Sequence, residues 1–156
     1  MPTVNRFEDL RVWQTARQLV NSVYQLSQKG NFQKDFGLRD QIRRAAGSSM
    51  HNIAEGFEAG SDAQFIRFLG YARSSASETQ SQLYTALDQE YIDQEEFQTL
   101  YELLTKLKMQ INALIGYLNK SNSENQVKET NVEYHISVQD KNFADDIFSK
   151  SQNPDP

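Results

Sequence analysis

Proline is confined to the two ends of this 156-residue chain, at Pro2, Pro154 and Pro156. A proline inside a helix removes a backbone hydrogen bond and costs about 3 kcal/mol, so long helices exclude it. The span from Thr3 to Asn153 can therefore form long uninterrupted helices. A turn-rich β-sandwich or barrel would need more turn residues than seven glycines and no internal proline provide. The sequence favours an all-α fold.

Composition excludes several classes of protein. The chain has no cysteine, which excludes disulfides, thiolate zinc sites and thiol nucleophiles. The first ten residues are polar and lack the apolar core of a signal peptide. No apolar run approaches the ~20 residues that a transmembrane helix requires. We expect a cytoplasmic protein that makes no membrane contact.

Apolar residues recur every three or four positions along four segments, which is the period of a one-sided helix. Two capping boxes, Ser61 to Gln64 and Asp93 to Glu96, mark helix starts. Gly30 and Gly60 mark helix ends. These signals predict helices over about 8–28, 38–58, 61–90 and 93–118.

The joints between these segments are short, about 29–37, 59–60 and 91–92, and short joints make neighbouring helices antiparallel. We therefore predict an up-down-up-down four-helix bundle over residues 1–119. Residues 120–156 lose the helical period and are rich in polar and acidic residues, which predicts a flexible, largely disordered C-terminal tail.

Two segments of this tail contain apolar residues, 132–138 with a strand-like pattern and 143–148 with one helical turn. They are either docking segments for a protein partner or incidental features of an inert tail. The sequence leaves both interpretations open.

The second and third helices both carry small residues. If the chain turns tightly at Gly60, residues that face each other across the two antiparallel helices have numbers that add up to about 120, and the two stretches of small residues then meet. This register places Asn52 and Glu55 near Arg67, with Arg73 close by. We predict a structural polar cluster of these four residues, in which Gly56 permits close packing. The alternative is a binding site at that end of the bundle.

Charge is unevenly distributed along the chain, whose net charge is −5. Residues 1–74 carry ten Lys and Arg against seven Asp and Glu, whereas residues 75–119 carry two against seven and residues 120–156 four against seven. Arginines concentrate on the first two helices, where they form a candidate nucleic-acid-binding face: Arg11, Arg17, Arg39, Arg43 and Arg44. The alternative is a solvated or subunit-contacting face, with Asp35 and Asp40 neutralising part of the charge.

Catalytic signals are weak. The Glu-x-x-His pairs of di-iron bundles are absent, as are phosphate-binding loops and nucleophile elbows. His51 and Glu55 are four residues apart and present a remote metal-binding alternative. We expect no catalytic residue, no metal and no cofactor.

Several blocks of sequence occur in an order that is similar to one known family. They are Phe7-Glu8-Asp9-Leu10-Arg11-Val12-Trp13-Gln14, Gln41 to Ala46, Ser49 to Gly56, and the positions Phe65, Phe68, Leu69, Ala72 to Ser75 and Glu78. Together they resemble the bacterial four-helix bundle proteins named after 23S rRNA intervening sequences, over about Phe7 to Leu118. The family often has proline where this chain has Met50 or His51.

The resemblance implies a four-helix bundle that forms a ring-like homo-oligomer, with a pentamer as the expected state. A relative of the family, the accessory variability determinant of diversity-generating retroelements, works with nucleic acid and a reverse transcriptase. The family itself is largely of unknown function. By this analogy we expect a non-enzymatic scaffold or accessory factor that binds RNA, DNA or a nucleic-acid enzyme. The alternative is a protein-interaction or structural module with the tail as its adaptor.

Residues outside the core stripes also favour self-association. We predict that five apolar side chains form an exposed patch: Ile66, Tyr71, Tyr84, Leu103 and Tyr117. The opposite charges of residues 1–74 and 75–119 would suit a head-to-tail contact, which is the type that closes rings.

Overall fold

The structure is a computed structural model that describes the backbone of residues 4–128 and the side chains of residues 4–124. Within residues 4–128, a 3₁₀ turn at Phe7–Asp9 precedes five α-helices. They are α1 (Arg11–Ser27), α2 (Gly30–Lys34), α3 (Phe36–Glu58), α4 (Asp62–Asp88) and α5 (Gln94–Lys128).

The four long helices form the predicted up-down-up-down bundle. α1 packs on α3, α3 on α4, α4 on α5, and α5 closes the ring of contacts on α1. Each helix contributes its apolar stripe to one core, whose fully buried large residues include Leu19, Ile42, Ile53, Leu69, Leu83, Leu104, Leu107, Ile111 and Leu114. The all-α fold class is confirmed.

The predicted helix caps are present. Ser61 Oγ accepts a hydrogen bond from the Gln64 backbone N–H at 3.3 Å. Asp93 Oδ1 accepts from the Glu96 N–H at 2.8 Å, and Glu96 Oε1 accepts from the Asp93 N–H at 3.1 Å. Gly60 has a φ of +85°, a conformation that glycine adopts without the steric cost of a side chain. Local hydrogen-bonding chemistry therefore sets these boundaries as predicted.

Three helix boundaries differ from the prediction. α1 begins at Arg11 rather than at about residue 8, because the 3₁₀ turn at Phe7–Asp9 comes before it. The joint predicted at 29–37 contains α2 and the first residues of α3, because Asp35 caps α3 earlier than the apolar stripe begins. α5 continues to Lys128, past the predicted end at Leu118, because exposed helical turns need no apolar stripe. The tail segments 132–138 and 143–148 lie outside the described residues.

One end of the bundle is held together by Asp35. Its Oδ1 accepts from the Leu38 backbone N–H at 3.1 Å, and its Oδ2 accepts from the Tyr91 hydroxyl at 3.0 Å. The Tyr91 ring stacks on the buried Phe32 ring at 5.3 Å. The hydrogen bond to Asp35 raises the pKa of Tyr91, because the neutral phenol is the donor. Asp35 thus joins the α1–α3 connection to the α4–α5 turn.

Small residues bring α3 and α4 close together, as predicted. Ser75 Oγ donates to Ser48 Oγ at 2.9 Å, so facing numbers sum to slightly more than 120. A Cβ at Gly56 would lie 2.7 Å from Phe68 Cβ and 2.8 Å from Phe65 Cδ2. Gly56 is therefore a packing requirement of the α3–α4 contact.

We expect Gly56→Ala to lower the free energy of unfolding by about 1–3 kcal/mol, because the added methyl overlaps Phe68 Cβ, which cannot move without its backbone. Gly70→Ala is the matched control in α4, since a Cβ there meets nothing within 4 Å. It should raise stability by up to ~1 kcal/mol through helix propensity. Urea unfolding measures both. Equal stabilisation by the two substitutions would contradict the close contact.

We expect Asp35→Ala to lower the free energy of unfolding by about 1–2 kcal/mol, because it removes the α3 cap and leaves the Tyr91 hydroxyl without its acceptor. Asp35→Asn keeps an oxygen for the cap and should cost less than half as much. Thermal unfolding followed by circular dichroism compares them. Wild-type stability in Asp35→Ala would show that this end of the bundle does not depend on the carboxylate.

Candidate nucleic-acid interface

An open groove of about 640 Å³ runs along α3 beside α1. Gly47 lines it without a side chain, and a Cβ there would lie 3.6 Å from His51 Nε2. The groove is lined by Val20 and Tyr24 of α1 and by Asp40, Arg43, Arg44, Gly47, Ser48, His51, Asn52 and Glu55 of α3. Most of these side chains are polar or charged, which suits a polar ligand better than an apolar one.

Arg43 is held in a fixed orientation within the groove. Its Nε donates to Ser27 Oγ at 2.7 Å, and Ser27 is fully buried. Its guanidinium carbon lies 4.5 Å from the centre of the Tyr24 ring, a cation–π distance. The Tyr24 ring remains half exposed. The charge of Arg43 is thus oriented before any ligand binds.

Arg39 lies about one turn before Arg43 and is similarly held. Its Nε donates to Asp40 Oδ1 at 3.0 Å and its Nη1 donates to the Gln33 carbonyl at 3.1 Å. Its guanidinium carbon lies 4.8 Å from the centre of the Phe36 ring, which is 65% exposed. Asp40 neutralises part of this charge, as predicted.

The other predicted arginines divide between two surfaces. Arg44 is exposed and lines the groove. Arg17 is exposed on α1, 5.7 Å from the Trp13 ring, and helical spacing places it in line with Val20 and Tyr24. Arg11 lies about 120° around the helix axis from Arg17 and borders α5 residues instead. Four of the five arginines thus share a surface, and Arg11 does not.

We call this the α1–α3 surface. It comprises Arg17, Val20, Tyr24, Phe36, Arg39, Asp40, Arg43, Arg44, Gly47, Ser48, His51, Asn52 and Glu55. The surface carries four arginine side chains and two carboxylates, those of Asp40 and Glu55. The surface is therefore moderately basic on a chain whose net charge is negative.

The predicted polar cluster of Asn52, Glu55, Arg67 and Arg73 does not form. The side chains of the two arginines leave α4 in other directions: Arg67 Nε donates to the Tyr71 hydroxyl at 2.7 Å, and Arg73 Nη1 donates to Asn112 Oδ1 of α5 at 2.7 Å. Asn52 Nδ2 donates to the Ser48 carbonyl at 2.8 Å, within its own helix. Glu55 lies on the exposed side of α3 and belongs to the α1–α3 surface.

The predicted apolar patch is also divided. Tyr71 and Tyr84 are exposed, but they lie apart on α4: Tyr71 contacts Phe68, whereas Tyr84 contacts Phe97 of α5 at 4.9 Å. The other three residues, Ile66, Leu103 and Tyr117, are partly buried against the core. The prediction that these five side chains form one exposed patch is therefore wrong.

Two aromatic members of the α1–α3 surface were not predicted as site residues. Tyr24 reads as part of the α1 apolar stripe, and Phe36 falls in a predicted joint. For Phe36 the sequence did contain a signal. Phe36 precedes Arg39 by three residues, and side chains at that spacing are neighbours on a helix.

His51 and Glu55 both line the groove, but no group of three or more potential metal-ligating side chains occurs among the residues that the structure describes. Within the same part of the chain, no helix is both long enough and apolar enough to cross a membrane.

This chain is similar to a known protein family and to a solved structure. The family model described as 23S rRNA-intervening sequence protein matches residues 8–113, which include α1, α2, α3, α4 and most of α5. A solved structure from Bacteroides thetaiotaomicron, described as a protein with unknown function from the S23 ribosomal protein family, is 28% identical with a TM-score of 0.61. The alignment covers 67% of this chain and 97% of that one. None of the curated proteins compared with the chain matches it. The match over most of the bundle shows that the chain belongs to the 23S rRNA-intervening sequence protein family.

Proposed function

We propose that this protein binds nucleic acid through the α1–α3 surface and acts in the cytoplasm as a self-associating scaffold or accessory factor for a nucleic acid or a nucleic-acid enzyme, without catalysing a reaction itself. The observation that carries the proposal is the placement of four arginines on one surface, with Arg43 held by Ser27 and Tyr24. Membership of the family supports it by analogy.

The arrangement suits phosphate groups. Arginine presents a planar fork of donors that matches phosphate oxygens. Because Arg43 is already oriented, binding costs less side-chain entropy than it would with a freely rotating side chain. Arg44 and Arg17 are exposed and add charge on either side of the groove. Asp40 and Glu55 oppose them, so each subunit should bind weakly on its own.

Self-association would compensate for weak individual sites. A ring repeats the α1–α3 surface in every subunit, and linked weak sites bind a long polymer far more tightly than one site does. The excess of basic residues in 1–74 and of acidic residues in 75–119 supports a head-to-tail contact. A pentamer is the state we propose.

A protein-interaction module is the second candidate. The observation that favours it is the exposure of Tyr71, Tyr84 and Met109, which lie outside the α1–α3 surface and present apolar area to solvent. In that case the arginines serve contacts between proteins, and nucleic acid is not the ligand.

We expect Arg43→Ala/Arg44→Ala to weaken binding to a labelled 20-nucleotide RNA by about tenfold or more at 50 mM salt, because two phosphate contacts are lost. The plot of log affinity against log salt should become shallower by about 1.4 for the same reason, since each phosphate contact on a single strand contributes about 0.7. Fluorescence anisotropy measures both quantities.

Arg67→Ala/Arg73→Ala is the matched control, since it removes the same charge from α4. It should leave affinity within about twofold, because neither arginine lines the groove and their side chains are bonded to Tyr71 and Asn112 instead. Equal losses in the two double variants, or no RNA or DNA binding at low salt, would overturn the proposed nucleic-acid role.

We expect the protein to elute as a ring of five chains, each of 18.0 kDa, when its mass is measured by light scattering at micromolar concentration. The head-to-tail contact predicts partial dissociation at high salt, because it is electrostatic in part. A clean monomer across this concentration range would contradict self-association.

A further inference from the structure

Two exposed aromatic rings flank the basic groove at one end, and each is covered by an arginine. Arg43 lies over Tyr24, which is 49% exposed, and Arg39 lies over Phe36, which is 65% exposed. Phe36, Arg39 and Arg43 recur at spacings of three and four on one side of α3. Arg43 reaches across to Tyr24 at the end of α1. Tyr24 and Arg43 line the groove, and Arg39 and Phe36 continue from Arg43 along α3 beyond the lining residues.

Packing of the bundle does not explain the exposed position of Phe36. The ring stands at the first residue of α3, immediately after the cap at Asp35, and does not belong to the core. Phenylalanine left in water forgoes the stabilisation that its burial would provide. A ring held open between a helix start and an arginine is consistent with a role in binding a ligand.

The chemistry of the surface selects among nucleic acids. Single strands are bound by positively charged grooves in which bases stack on aromatic rings and on arginine planes. In a duplex the base faces are already stacked on one another, so rings at the protein surface cannot reach them. Arginines alone would bind the phosphates of a single strand or of a duplex. Exposed rings beside the arginines favour a single strand, because its bases can stack on them.

We propose that the α1–α3 surface binds single-stranded nucleic acid, with bases stacking on Tyr24 and Phe36 and phosphates contacting Arg17, Arg43 and Arg44. This inference rests on the proposed function and narrows its ligand. Arg43 lies over Tyr24, so a base stacked on that ring would lie beside a phosphate contact.

A second copy of the chain is a less suitable occupant of this surface. The centres of subunit contacts are depleted of charged residues. Here the rings adjoin Arg39, Asp40, Arg43 and Arg44, and Glu55 lies farther along the same groove. This composition matches an exposed, phosphate-facing groove.

The test compares a labelled 20-nucleotide RNA of mixed, non-self-complementary sequence, the DNA strand of the same sequence, and the corresponding 20-base-pair DNA duplex. Affinities are measured by fluorescence anisotropy at 50 mM salt for the full chain. We expect the single strands to bind at least about tenfold more tightly than the duplex.

The decisive variants are Phe36→Leu and Tyr24→Leu, which keep apolar bulk but remove the aromatic faces. Each should weaken single-strand binding about fivefold or more, as expected for the loss of one stacked base, and should weaken duplex binding by a smaller factor. Tyr71→Leu is the matched control, because Tyr71 is an exposed ring under Arg67 on α4. It should bind all three probes as the wild type does. Circular dichroism confirms that each variant is folded.

Three outcomes would overturn the inference. If strands and duplex bind equally and both leucine variants bind as the wild type does, the single-strand inference fails while the arginine-dependent proposal stands. If neither form binds, the proposed function fails and this inference with it. If Phe36→Leu changes the mass measured by light scattering and leaves binding intact, the rings belong to a contact between copies.

Discussion

α3 and α4 approach so closely that one methyl group at Gly56 would overlap Phe68. This contact, extended by Ser48 and Ser75, fixes how α3 is rotated about its own axis. When one face of a helix is packed against a partner helix, the directions of its other faces are fixed as well. The orientation of the polar face of α3 is therefore a consequence of how tightly its small residues pack on α4.

The rotation of α3 decides what the groove contains. Asp40, Arg43, Gly47 and His51 follow one another at helical spacing on the side that is turned from α4 toward α1 and solvent. Gly56 and Gly47 serve opposite purposes on α3: Gly56 permits contact with α4, whereas Gly47 lines the groove without adding a side chain to it. The residues that contact α4 and the basic residues belong to the same rigid helix. The packing of α3 on α4 therefore also fixes the direction of its basic face.

The sequence predicted those features that depend on near neighbours along the chain. The caps at Ser61 and Asp93 and the stop at Gly60 follow from local chemistry, and the structure has all three. The contact of Gly56 with α4 was also predicted, because it lies next to the tight turn that sets the register. The failed cluster of Arg67 and Arg73 depended on side-chain direction across two helices. A long arginine side chain can reach partners on either side of its helix, so a nearly correct register did not determine that Arg73 would meet Asn112.

Aromatic residues were the hardest to assign from the sequence, and the reason is physical. An apolar ring at helical spacing reads as core, because burial is its usual source of stabilisation. Tyr24 follows the α1 stripe but lies under Arg43 at its edge, and Phe36 stands one residue past a cap. Arg43 reaches the Tyr24 ring only when α1 and α3 are packed side by side, whereas Arg39 meets Phe36 within α3. The same packing that hides the leucines leaves these two rings facing solvent, beside charges that can hold a phosphate chain.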